Sequence, residues 1–255
     1  MQSPSHEELA RQHTDEAIAR RIERGASHSY IGDFVLGAVD GAITTFAIVS
    51  GVAGTGLAGG AMIAFVLGLA NVLADGFSMA VSNYLKGRSD QHVVERFRKL
   101  EEFHIDRIPD REREEIRQIF AAKGFEGDIL EEIVRVITND RKRWVDTMLT
   151  DEWGLQIYGP SPVRAALVTF VAFLLAGVVP LAPLILVVGG TLTESTVFLA
   201  SAVATAATFF VTGILRGRVV GQSAWFSGLE TLFVGGSAAV LAFGAGTLLR
   251  GLLNG

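Results

Sequence analysis

Cysteine is absent from the 255-residue chain. That excludes a disulfide framework, a thiolate metal site, an iron–sulfur cluster and a cysteine nucleophile. A second absence is local. Gly25 to Leu85, sixty-one consecutive residues, contain no Lys or Arg. There is no nucleophile motif, phosphate loop or nucleotide fingerprint; the Gly54-x-Gly56 pair is explained by a turn between apolar segments. The net charge of −5 argues against nucleic acid as a partner. The N-terminus, MQSPSHEELARQHTDEAIARRIERG, is polar and lacks an apolar core, so no cleaved signal peptide is expected.

What the chain does have is apolar sequence, 49% of its residues, together with 29 Gly. A membrane helix needs about 20 apolar residues. Five such spans can be drawn: Ile31–Gly54, Ala61–Leu85, Ala165–Val188, Thr193–Leu215 and Ala224–Leu249. The first two are joined by GTGLAGGA, a short turn. Pro180 and Pro183 interrupt the third, which predicts a kink or an early end. The expected architecture is all-α: a polytopic membrane protein with five transmembrane helices and a helical cytoplasmic domain between spans two and three. Its parts are a tail (1–30), spans one and two (31–85), the helical segment (86–161) and spans three to five (162–255).

Basic residues orient the spans. Arg11, Arg20, Arg21 and Arg24 precede the first; fifteen Lys and Arg lie from Lys86 to Arg164; Arg216 and Arg218 separate spans four and five. Arg250 alone falls on the other side. The positive-inside rule then puts the N-terminus and segment 86–161 in the cytoplasm.

Segment 86–161 reads as helical. The second span can run on unbroken through KGRSDQHVVERFRKLEEFH. Pro109 and Asp110 open a further helix that stops at Gly124. Asp128 with Glu131 has the spacing of a capping box, and Asn139 is the expected cap of RKRWVDTMLTDEW.

The chemistry starts with Asp40, a carboxylate inside the first span. Its insertion costs about 2.5–3.5 kcal/mol, and such groups commonly line ion paths or pair with one another. Asn71, Asp75, Met79 and Asn83 recur every four residues on span two and form a polar stripe. Asp40 is its expected partner, because a short turn makes spans one and two antiparallel neighbours. Two carboxylates and a thioether suit a divalent transition metal. The competing reading is two hydrogen-bonded structural carboxylates beside a packing methionine. Asp33 is expected at the membrane interface. Glu230, near the cytoplasmic end of span five, either neutralises an Arg or joins the ion path.

In segment 86–161, Glu101 and His104 are three residues apart, as are Glu112 and Glu115; Met148 and Glu152 are four apart. Each pair can point one way from a helix. A solvated charged face is the alternative for any single pair. Glu-x-x-His is also used in di-iron carboxylate bundles, which need two such motifs, and one is present. A membrane-anchored, ferroxidase-like di-metal enzyme and a metal sensor without transport therefore stand as alternatives to a transporter.

GAVDGAITTFAIVSG in span one, ADGFSMAVSNYL in span two, IPDREREEI and then MLTDEWGL together resemble the vacuolar iron transporter family, in order and from about Tyr30 onward. The resemblance implies a homodimeric five-span protein in the lipid bilayer, of the plasma (inner) membrane in a prokaryote or the vacuolar membrane in a eukaryote. It would export Fe2+, with Mn2+ as a related substrate, from the cytosol in exchange for protons, along a path at the dimer interface. Asp40 and Met79 match path positions. Glu101, Glu112, Glu115, Met148 and Glu152 match metal-ligand positions. No permanently bound cofactor is implied; the divalent metal, Fe2+ or else Mn2+ or Zn2+, is substrate and ligand. Three positions depart from the pattern. Asn71 stands where the family has a glutamate, with Asp75 one turn later. His104 replaces a further glutamate, and a neutral imidazole also binds Fe2+ or Zn2+. Leu149 replaces a second methionine.

Overall fold

The computed structural model describes residues 10–11, 13–24, 29–188 and 192–254. The parts of the N-terminal tail at 1–9, 12 and 25–28 lie outside them, as do 189–191. Among the described residues all regular structure is helical. The helices are α1 (Asp15–Arg24), α2 (Ile31–Thr55), α3 (Gly60–Arg107), α4 (Pro109–Ala122), α5 (Gly127–Thr138), α6 (Arg141–Thr147), α7 (Pro162–Val178), α8 (Ile185–Val188), α9 (Glu194–Val220) and α10 (Ala224–Asn254).

Among the described residues four helices, α2, α3, α9 and α10, are long and apolar enough to cross a bilayer. Their outward faces carry Leu67, Leu73, Phe77, Leu199, Val203, Phe233 and Leu241, all exposed. In water so much exposed apolar area is unfavourable; against lipid tails it is the expected surface. The segment expected as span three is a 17-residue apolar helix, α7, and it ends at Val178. Pro180 and Pro183 follow, with a single 3-10 turn at Ala182–Leu184 before α8. The early end has the expected cause: proline supplies no N–H and its ring blocks the preceding turn.

The turn between α2 and α3 is built by Gly56 (φ 62°) and Gly59 (φ 74°), in the left-handed region where a side chain is strained. It folds α3 back beside α2. Helix α2 lies at the centre of the apolar helices, packed between α7 and α10. Close approach requires glycine there: a Cβ on Gly41 would lie 2.5 Å from the Phe173 carbonyl oxygen.

Helix α3 has 48 residues and runs unbroken from the turn to Arg107, as the residues after Gly87 predict. At 1.5 Å per residue it is about 72 Å long, more than twice a bilayer's hydrocarbon core. Its far half packs with α4, α5 and α6 around Ile105, Ile116, Leu130, Val134, Trp144, Val145, Met148 and Leu149. This core is separate from those of the apolar helices, which centre on Val49, Val72, Leu181 and Leu184 and on Ala38, Ala42 and Phe209.

Two expected caps are displaced. Helix α5 starts at Gly127, so Asp128 is in its first turn and caps nothing. Glu131 is drawn instead to Arg117 of α4 by two hydrogen bonds of 2.9 Å. Helix α6 is capped by Asp140, not Asn139: its side chain accepts from the backbone N–H of Arg143 at 3.0 Å.

Candidate metal centre

The far end of α3 carries Glu101 and His104 one turn apart, and both face α4. Pro109, preset for a first helical turn, starts α4 close behind them and brings Glu112 and Glu115 round to the same side. The carboxylate oxygens of Glu101 and Glu112 and a ring nitrogen of His104 all come within 4.8 Å of one another. His104 Nδ1 is 3.5 Å from Glu112 Oε1. Glu101 and Glu112 are each 1% exposed.

The burial leaves oxygens without partners. Oε2 of Glu101 and Oε2 of Glu112 are buried with no hydrogen-bond partner. An unpartnered buried oxygen costs about 1–3 kcal/mol, more if charged. Burial, then the charges of Glu115 and Glu101, a carboxyl contact with Glu101 and the charge of Glu152, push the Glu112 carboxyl up to about 8. Glu152 rises to about 7, through lost hydration and then the charges of Glu101 and Glu115. Glu115 is also raised, by burial and by Glu101, with His104 opposing. Four carboxylates therefore act on one another electrostatically in one place, with an imidazole at its edge. A divalent cation would satisfy the free oxygens and reverse the mutual repulsion.

Met148 and Glu152 are set by a π-helical turn, Met148–Glu152, that continues α6. It closes with the Trp153 N–H on the Met148 carbonyl at 3.2 Å. Such turns are frequent at functional sites. Glu152 belongs electrostatically to the carboxylate group. Met148 is fully buried in the apolar core with Ile105 and Ile116.

Sequence reasoning missed Trp153. Its indole N–H donates to Glu101 Oε1 at 2.9 Å, and its ring packs on Phe97 with centroids 4.4 Å apart. No local spacing announces this contact, because it spans fifty-two positions and depends on the π turn.

Among the apolar helices, Asp40 of α2 and Asp75 of α3 lie close enough for their charges to interact. Asn71 donates to Thr44 Oγ1 at 3.3 Å, and Thr44 in turn donates to the Asp40 backbone carbonyl at 2.9 Å. Met79 is half-buried one turn beyond Asp75. Asn83 leaves the stripe. Residues four apart drift by about 40° on an α-helix, so Asn83 stands about 120° round from Asn71. Its amide donates to Asp33 Oδ1 at 2.7 Å and to Thr169 Oγ1 of α7 at 2.8 Å.

Asp40 also lines a cavity of about 320 Å3 between α2, α9 and α10, whose wall includes Val35, Leu36, Val39, Ile43, Thr231 and Val234. Glu230 and Arg216 share it, joined by a 3.2 Å ion pair. Glu230 thus has the Arg partner that was one of its two sequence readings, and it also opens on Asp40's cavity.

An all-helical chain with bilayer-length apolar helices and a buried, cation-deficient carboxylate–imidazole group defines a metal-handling membrane protein. The model of the VIT family matches residues 31–247, and the chain belongs to that family. It is 33% identical to a vacuolar iron transporter of Toxoplasma gondii over 231 residues, 88% of this chain and 76% of that one. It is 30% identical to vacuolar iron transporter 1 of Arabidopsis thaliana over 84% of this chain and 83% of the relative. Vacuolar iron transporter 2 of Oryza sativa subsp. japonica is 29% identical over 93% and 94%. These relatives are named as transporters, in agreement with the reading of this chain as a transporter and not an enzyme.

Proposed function

We propose that this protein is a secondary transporter that exports Fe2+, with Mn2+ as second substrate, from the cytosol in exchange for protons. The observation that carries the reading is the grouping of Glu101, His104 and Glu112 within 4.8 Å, with one buried, unpartnered oxygen on each glutamate. Such a group is costly until a cation arrives. Membership of the VIT family, with relatives named vacuolar iron transporters, supports iron as the substrate.

In this reading α7 with its proline-broken continuation is a fifth span, and segment 86–161 is a cytoplasmic domain. Glu101, His104, Glu112, Glu115, Met148 and Glu152 capture the ion. It passes to Asp40, Asp75 and Met79, with Asn71 and Glu230 beside the path, in a homodimer. On the far side protons compete for the carboxylates, and a protonated carboxylate is a poor ligand, so acidity there releases the metal. Proton return resets the site.

The test is Fe2+ and Mn2+ flux in proteoliposomes, with and without a pH gradient. Flux should require the gradient and vanish in Asp40→Ala. Gradient-independent flux, or an active Asp40→Ala protein, sinks the proposal; binding without flux would favour a sensor.

A further inference from the structure

We propose that Trp153 is a positioning residue of the metal centre: its indole N–H holds Oε1 of Glu101, so that Oε2 of the same carboxylate faces the incoming cation together with Glu112 and His104. The inference rests on the capture role given above to that group.

Three observations carry it. The first is the hydrogen bond itself, 2.9 Å from Nε1 to Oε1. Indole is a donor only, so it can neither bind the metal nor compete for the carboxylate as a base. Its effect is to occupy one oxygen and fix the plane of the group. The second is what the bond leaves over: Oε2 of Glu101 is buried with no partner, and so is Oε2 of Glu112. The donor therefore reaches one lobe of the carboxylate and spares the other. The third is how the indole is held. Its ring packs against Phe97, one turn before Glu101 on α3, and its backbone N–H closes the π turn on Met148. Both ends of the residue are anchored, the ring to α3 and the backbone to the π turn that carries Met148 and Glu152.

Trp153 is 40% exposed where Glu101 is 1% exposed, so the indole reaches from the surface to a carboxylate that water does not. Residues that orient ligands from behind commonly change metal affinity by about 10–100-fold when removed. The same scale applies here, because rotation of Glu101 would cost one of the ligands in the closest group.

The experiment is anaerobic Fe2+ binding by calorimetry on the full chain in detergent. Trp153→Phe keeps a ring on Phe97 and loses the N–H; Phe97→Leu disturbs the ring packing and keeps the N–H. Trp153→Phe should weaken Fe2+ binding by about tenfold or more, while Phe97→Leu, which loosens the indole but keeps its N–H, weakens it by less; equal losses in the two variants would point to packing alone and overturn the role of the N–H. In transport, Trp153→Phe should raise KM for Fe2+ and leave the maximal rate unchanged. Glu101→Gln is the control for the centre itself. Wild-type affinity in Trp153→Phe beside lost affinity in Glu101→Gln overturns the role of Trp153 alone. Wild-type affinity in both overturns the capture reading as well. If Trp153→Phe fails to fold, a single-tryptophan protein (Trp144→Phe, Trp225→Phe) gives the answer. Its emission should shift as Fe2+ is added, with a midpoint equal to the calorimetric one, and unchanged emission through saturation overturns the proposal.

Discussion

Asn83 donates to Asp33 at 2.7 Å and so ties the beginning of α2 to the middle of α3. The same amide donates to Thr169, whose hydroxyl also donates to the Ala165 carbonyl of α7. One side chain joins three helices where α3 leaves the apolar bundle and continues towards Glu101. The junction keeps the long helix in register with α2, which carries Asp40.

Replacing Asn83 by Leu should therefore destabilise the protein by about 1–3 kcal/mol, the cost of leaving polar partners half-buried and unpaired. Thermal unfolding in detergent would show the lower midpoint. Asn83→Leu should leave Fe2+ affinity at the metal centre unchanged, because Asn83 belongs to the bundle junction. A fall in affinity without a fall in midpoint would contradict this.

The raised carboxyls give a pH dependence with a definite sign. Glu112 titrates at about 8 and Glu152 at about 7, both above the ordinary value of 4.5. A carboxyl raised in the folded protein favours the protonated fold. Its stabilising contribution is complete below about pH 4.5 and is lost as pH rises through about 7 and then about 8. The metal-free protein should thus lose stability over that window. Fe2+ binding has the opposite slope, since the metal must displace those protons. Affinity should strengthen as pH rises through the same values, with proton release detectable by calorimetry in buffers of different ionisation enthalpy. Glu112→Gln should remove most of the upper part of both slopes.

The membrane helices were legible in the sequence because their signals are long: apolar runs, an absence of Lys and Arg, and prolines at the break after Val178. Caps were less so. Asn139 and Asp140 are adjacent and cap almost equally well, so only the observed helix start decides between them. Glu131 had the right spacing for a capping box, yet Arg117 on a neighbouring helix outcompetes the cap. Glu101, His104 and Glu112 were readable as pairs at helical spacing, and the turn at Pro109 makes those pairs face one another. Trp153 was not assigned a role, because its partner lies fifty-two positions away across turns; Glu230 was read as pairing with an Arg, and the fold makes that Arg216, fourteen positions back. The four-residue stripe on span two was over-extended by one member, Asn83, since its spacing drifts round the helix.

The Arg216–Glu230 pair sits in the same cavity as Asp40, and this makes its charge balance a matter of transport and not only of stability. With the pair intact, the cavity wall beside Asp40 is close to neutral. Glu230→Ala leaves the Arg216 guanidinium unpaired in the cavity that Asp40 lines, where its field repels an approaching divalent cation. Fe2+ flux should fall severalfold. Arg216→Ala alone leaves a free carboxylate there and should not impede the cation to the same degree. The double variant removes both charges and should recover most of the flux lost in Glu230→Ala. That recovery is a coupling between the two sites, and a double-mutant cycle on initial flux rates measures it. Additive losses in the double variant would show that Glu230 acts independently of Arg216, as a path carboxylate in its own right.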